Sequence, residues 1–124
     1  MDKKEQAVFF KHNGSNCAQA VLLAYKDELN LDELALKQIG SGFGVGMGNM
    51  EATCGALIAA NIILGLKNDG SMLTMKKSKM LQDEFKALSK ETICKKLKGI
   101  ETGVVVTSCD DCIRNAIEAL DKLL

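Results

Sequence analysis

Gly103-Val104-Val105-Val106-Thr107 separates an all-α chain from one with a sheet. It is rich enough in β-branched residues to be extended, because such side chains suit a pleated strand. One such run makes no sheet, and the rest of the chain carries helical signals. The chain contains no Pro, so many short strands joined by Pro turns are not expected either. The sequence therefore predicts an all-α fold. It is a compact bundle of five to six helices, in one domain over residues 1–124, with a glycine-rich loop at residues 40–48.

Just after this stretch, Ser108 caps a last helix, with Asp111 three positions on as in a capping box. Upstream, a short piece over 91–98 carries Cys94 and stops at Gly99. Ser71 opens a helix to about Lys90, with Leu73, Met80, Leu81, Phe85 and Leu88 apolar. Another helix runs from about Met50 to Lys67, with Leu57, Ile58, Ile62 and Leu66 inward, and Asn68-Asp69-Gly70 turns the chain. Asp2 caps a first helix through about Lys11, with Ala7, Val8 and Phe10 among its apolar positions, and His12-Asn13-Gly14 stops it. Ser15 fits the N-cap of a second helix, residues 16–29, whose face is Cys17, Ala20, Val21 and Ala24. Asp32 starts a short third helix ending near Ile39.

Between the third and fourth helices lies Gly40-Ser41-Gly42-Phe43-Gly44-Val45-Gly46-Met47-Gly48. Five of the chain's eleven glycines fall here. At about 1 kcal/mol per glycine relative to Ala, no helix survives that density. A loop that approaches something closely, or takes positive φ, is expected. It is not a dinucleotide fingerprint, since the glycines alternate, no strand precedes them and no Gly-Lys-Ser/Thr follows.

Sixteen Lys and Arg balance sixteen Asp and Glu. That removes the basic surplus by which nucleic-acid binders displace counterions, so no nucleic-acid partner is expected. Lys76-Lys77-Ser78-Lys79 reads as a solvated helix face, and the six Met as core fill. No apolar run approaches a membrane span, and no signal-peptide pattern follows Met1. A cytoplasmic setting is therefore expected, where cysteines are more often reactive, metal-bound or buried than locked in disulfides. There are five Cys, so they cannot all pair within one chain.

Cys54 falls about one turn into the expected fourth helix, where the positive end of the helix dipole favours a thiolate. Glu51 opposes this. Cys109-Asp110-Asp111-Cys112 has the spacing of a dithiol couple or half of a metal site, although its aspartates work against a thiolate. Cys17 and Cys94 look like core residues singly. Taken together, several helices each present a cysteine near an end, and such ends converge in a small bundle. His12, at a helix end, is read as solvent-facing or a cap.

Asn16-Cys17-Ala18-Gln19-Ala20-Val21, Ser41-Gly42-Phe43-Gly44 through Gly48, and Cys54-Gly55-Ala56 together resemble the C_GCAxxG_C_C family, which is proposed to be redox-active. The resemblance spans about residues 14 to 120. It matches Cys17 to the family's first cysteine, Cys54 to the motif cysteine, Cys94 to the third and Cys109 to the fourth. Cys112 is then extra, and expected to be the most dispensable. Ala59 stands where the motif ends in Gly. Family members are often encoded near transporters, which implies a redox or transporter-associated partner.

Thiol redox chemistry is the leading expectation. An activated thiolate, Cys54, attacks a partner disulfide or oxidant, and Cys17, Cys94 or Cys109 resolves the mixed disulfide. The alternatives are a zinc or iron–sulfur site ligated by Cys17, Cys54, Cys94 and Cys109, and a helical interaction protein whose cysteines are core. Cys17 and Cys54 are expected to share one site beside the glycine loop, with Cys109 third and Cys94 fourth.

Overall fold

Seven α-helices carry the chain in the computed structural model, which describes residues 1–124. They are α1 (Lys3–His12), α2 (Cys17–Ala24), α3 (Glu33–Gly40), α4 (Gly55–Lys67), α5 (Leu73–Ser89), α6 (Cys94–Lys98) and α7 (Cys109–Asp121), with a 3-10 turn at Lys26–Glu28. There is no strand. The fold is all-α as expected, with a slightly higher helix count, because short helices such as α6 stand as elements of their own. Residues 103–107 form an irregular, bent segment. Val104 and Val105 are exposed, and Val106 and Thr107 hang from the Leu97 carbonyl at 3.0 and 3.3 Å.

Caps set most of the boundaries. Asp2, Asp32 and Ser108 each accept from the backbone N–H three residues on. The cap of α2 is Asn16 rather than Ser15. Its side chain accepts from Gln19 N while Gln19 Oε1 accepts from Asn16 N, a reciprocal capping box. α2 ends at Ala24, earlier than expected. Tyr25 is there fully buried, donating its hydroxyl to Asp121 at 2.5 Å, and the chain turns through Lys26–Glu28.

α4 begins at Gly55 and not near Met50. The segment before it makes an isolated antiparallel bridge, Thr53 with Ile93. Cys54 N donates to Thr92 O at 2.8 Å and Cys94 N to Ala52 O at 2.9 Å. Those bonds hold residues 52–54 out of the helix and set Cys54 opposite Thr92, diagonally across the bridge from Cys94.

Twenty-six buried residues form one core, with contributions from every helix. α2 packs on α1, α3, α4 and α7, and α4 also packs on α5 and α7. Close approach requires small residues at these contacts, and Ala18, Ala20, Ala56, Ala59, Ala60 and Ala116 are all fully buried. This shifts the inward row of α4 from the one expected. Leu57 is inward, but Ile58 and Ile62 are half-buried and Leu66 is exposed, while Ile63 and Leu64 are fully buried. In α5 only Leu81, Phe85 and Ser89 are buried, one row at four-residue spacing, and Leu73, Met80 and Leu88 are exposed. Each fully buried Leu, Ile or Phe contributes roughly 1.5–3 kcal/mol by burial.

Candidate functional site

Four helix N-termini meet at one end of the bundle, and each carries a cysteine. Cys17 is the first residue of α2, Cys94 of α6 and Cys109 of α7, and Cys54 is the N-cap of α4. A side chain at the start of a helix leans back toward its N-terminus. The four sulfur-bearing residues accordingly line one cavity of about 110 Å³, with Val45 and Gly46 of the glycine loop and Lys11 and Lys98. Small-molecule sites usually measure about 300–1,000 Å³, so a dinucleotide or flavin does not fit here.

The glycine loop is what closes the end of the bundle. Asn16 Nδ2 donates to the carbonyls of Gly40 and Ser41 at 3.2 and 3.3 Å, fastening the loop to the N-terminus of α2. The loop then coils tightly over Gly46–Met50, with Val45, Met47 and Met50 all at positive φ. Non-glycine residues in that region store strain, and such strain concentrates at functional sites. Two glycines allow close contacts. A Cβ at Gly46, where φ is +56°, would lie 2.6 Å from Cys94 Cβ, and one at Gly55 would lie 2.5 Å from the Phe43 carbonyl oxygen.

The sulfurs associate in two pairs. The outer pair is Cys17 with Cys109, both half-buried. Hydrogen bonding from the Cys17 thiol holds the Cys109 pKa down, against desolvation, and Lys98 and Lys11 add to the effect, bringing it to about 6. The same interaction, with burial, pushes Cys17 up. Asp110 raises the Cys109 value only weakly. His12 Nε2 lies 2.8 Å from Asp110 Oδ2, and Arg114 bonds Asp111 at 3.0 Å, so both aspartates have side-chain partners. His12 meets this carboxylate rather than a thiol.

The inner pair is Cys54 with Cys112, both buried. Cys112 hydrogen-bonds to Cys54 and holds its pKa down against desolvation, assisted by the backbone N–H groups of Ala56 and Leu57. Cys112 is pushed up by the same pairing and by burial. Cys112, surplus in the sequence reading, thus has a direct partner. The Cys-x-x-Cys spacing on α7 was the available signal, since positions three apart share a helix face. Cys94 is raised chiefly by desolvation.

Cys54, expected as the attacking sulfur, is only 6% exposed, whereas Cys109 is half-buried. The sulfurs pair off instead of surrounding one point. No three Cys, His, Asp or Glu side chains come together as a metal ion requires, so the donor set as placed does not fit the alternative zinc or cluster reading. No helix is long and apolar enough to cross a membrane.

No curated protein and no solved structure matches this chain. One family model does, over residues 15–123, and its description reads "Putative redox-active protein (C_GCAxxG_C_C)". The match runs from the residue before the cap of α2 to beyond the end of α7 and takes in every cysteine at the cavity, so the chain belongs to the C_GCAxxG_C_C family.

Proposed function

We propose that the protein performs thiol–disulfide exchange, with Cys109 as the attacking sulfur and Cys17 as the resolving one. The observation that carries this reading is the outer pair itself. Two cysteines at two helix N-termini face each other at the wall of one small cavity, and the more exposed of them is held as a thiolate at neutral pH.

The Cys109 thiolate attacks one sulfur of a partner disulfide, forming a mixed disulfide and expelling the partner's other sulfur as a thiolate. Cys17 then attacks Cys109 Sγ, forming the Cys17–Cys109 disulfide and releasing the second partner sulfur. The Cys17 proton passes to a departing partner thiolate. The partner has gained two electrons and the pair has lost two. A thiolate attacks best when its pKa lies near the ambient pH, and about 6 meets that condition.

The small cavity suits a protruding disulfide or a small oxidant. A cytoplasmic setting fits the reading, because a reducing compartment returns the pair to the dithiol state. A transporter-associated protein disulfide is the partner type that the family resemblance brings. The test is mixed-disulfide trapping. Cys17→Ser should accumulate a Cys109 adduct with a small-molecule disulfide at pH 7, and Cys109→Ser should not. An equal adduct yield at another cysteine in Cys109→Ser would reject Cys109 as the attacking sulfur.

A further inference from the structure

We infer that Cys54 and Cys112 form a second redox couple that takes the disulfide inward from Cys17 and Cys109, so that one chain delivers two pairs of electrons. The inference rests on the exchange reading above and extends it to the buried pair. Cys54 has two neighbourhoods. It lines the same cavity wall as Cys17 and Cys109, and it contacts Cys112, which is not part of that wall. Cys112 is 2% exposed and turns its Sγ toward the Thr107 carbonyl at 3.8 Å. It has no access to an external partner except through Cys54. Cys109 and Cys112 stand on one face of the first turns of α7, and Ser108 fixes that terminus by accepting from Asp111 N. One rigid helix end therefore holds a member of each pair.

The transfer balances as two exchanges. Cys54 thiolate attacks Cys17 Sγ in the outer disulfide and expels Cys109, the better leaving group because its thiolate is the more stable. This leaves a Cys17–Cys54 disulfide. Cys112 then attacks Cys54 Sγ, forming the Cys54–Cys112 disulfide and expelling Cys17, which takes up the proton that Cys112 gives up. The outer pair is again a thiol and a thiolate, and the inner pair is oxidised. No other reagent is consumed. A second partner disulfide then oxidises the outer pair.

The experiment uses the full-length reduced protein without oxygen. One equivalent of oxidised glutathione is added, free thiols are blocked with N-ethylmaleimide, and the disulfides are mapped by peptide mass spectrometry. The expected result is a Cys54–Cys112 link in most of the oxidised protein, with Cys17 and Cys109 alkylated. Excess oxidant should add the Cys17–Cys109 link. In Cys112→Ser, checked for a native circular dichroism spectrum, oxidation should stop at Cys17–Cys109. Wild-type protein that forms only Cys17–Cys109 at every oxidant level overturns the relay and leaves the exchange reading standing. Absence of the Cys17–Cys109 link in Cys112→Ser overturns the exchange reading itself.

Discussion

At Cys109, desolvation and Asp110 favour the thiol, while the Cys17 hydrogen bond and the charges of Lys98 and Lys11 favour the thiolate, and the second group wins. The sign is direct: the reactive thiolate fills as pH rises through about 6 and empties below it. An ordinary thiol does so near 8.5. The iodoacetamide rate of the fastest cysteine should therefore plateau by about pH 7 and fall about tenfold per unit well below 6. A midpoint near 8.5 would show that the pair does not activate Cys109. Cys17→Ala removes the largest lowering influence, so the pH 7 rate should drop, by roughly tenfold for each unit that the pKa rises. Gly46 offers a second test at this scale. Gly46→Ala combines positive φ with a contact of 2.6 Å to Cys94 Cβ, and Cys94 is held by its own backbone bond to Ala52. A loss of about 1–3 kcal/mol is expected in urea unfolding. A change under about 0.5 kcal/mol would mean that the loop gives way without cost.

The helices were legible in the sequence where a single side chain fixes an end. Asp2, Asp32 and Ser108 could be read directly, because a cap needs only its own residue type and the N–H groups that follow. The start of α4 was hidden, because what stops the helix short of Met50 is backbone pairing with residues 92–94, about forty positions away in sequence. The same bridge sets Cys54 as a cap and not as a residue within the helix. The convergence of cysteines was partly readable, as each falls at a helix start. Their division into pairs was not, because it depends on how α2, α4 and α7 are packed, as does the depth at which Cys54 sits. Asn16 ties local and tertiary signals together, capping α2 through its oxygen and holding the glycine loop through its nitrogen. Asn16→Asp keeps the acceptor and loses the donor, whereas Asn16→Ala loses both. The expected order of stability is wild type, then Asp, then Ala, with Ala lower than wild type by about 1–2 kcal/mol from the cap alone. Equal stability of the Asp variant and wild type would show that the loop bonds contribute nothing.

For the whole molecule, oxidation changes connectivity without changing the fold class. A Cys17–Cys109 disulfide would tie the start of α2 to the start of α7 and enclose most of the chain in one loop. Cross-linking residues so distant in sequence removes conformational freedom chiefly from the unfolded chain, and typically adds about 2–4 kcal/mol. For a domain of this size each kcal/mol raises Tm by roughly 3–5 °C. The oxidised protein should therefore melt about 6–20 °C above the reduced one. α2 and α7 already pack against the same core, so little rearrangement opposes the link. The comparison is made in Cys112→Ser, where oxidation is confined to the outer pair, by differential scanning calorimetry of the reduced and oxidised forms at one pH. A pH above 7 keeps Cys109 charged in the reduced reference, since its thiolate fills above about 6. A lower Tm on oxidation would mean that the disulfide strains the two helix ends by more than it restricts the unfolded chain. The dithiol would then be the relaxed state, and the oxidised pair the stronger oxidant toward its partner.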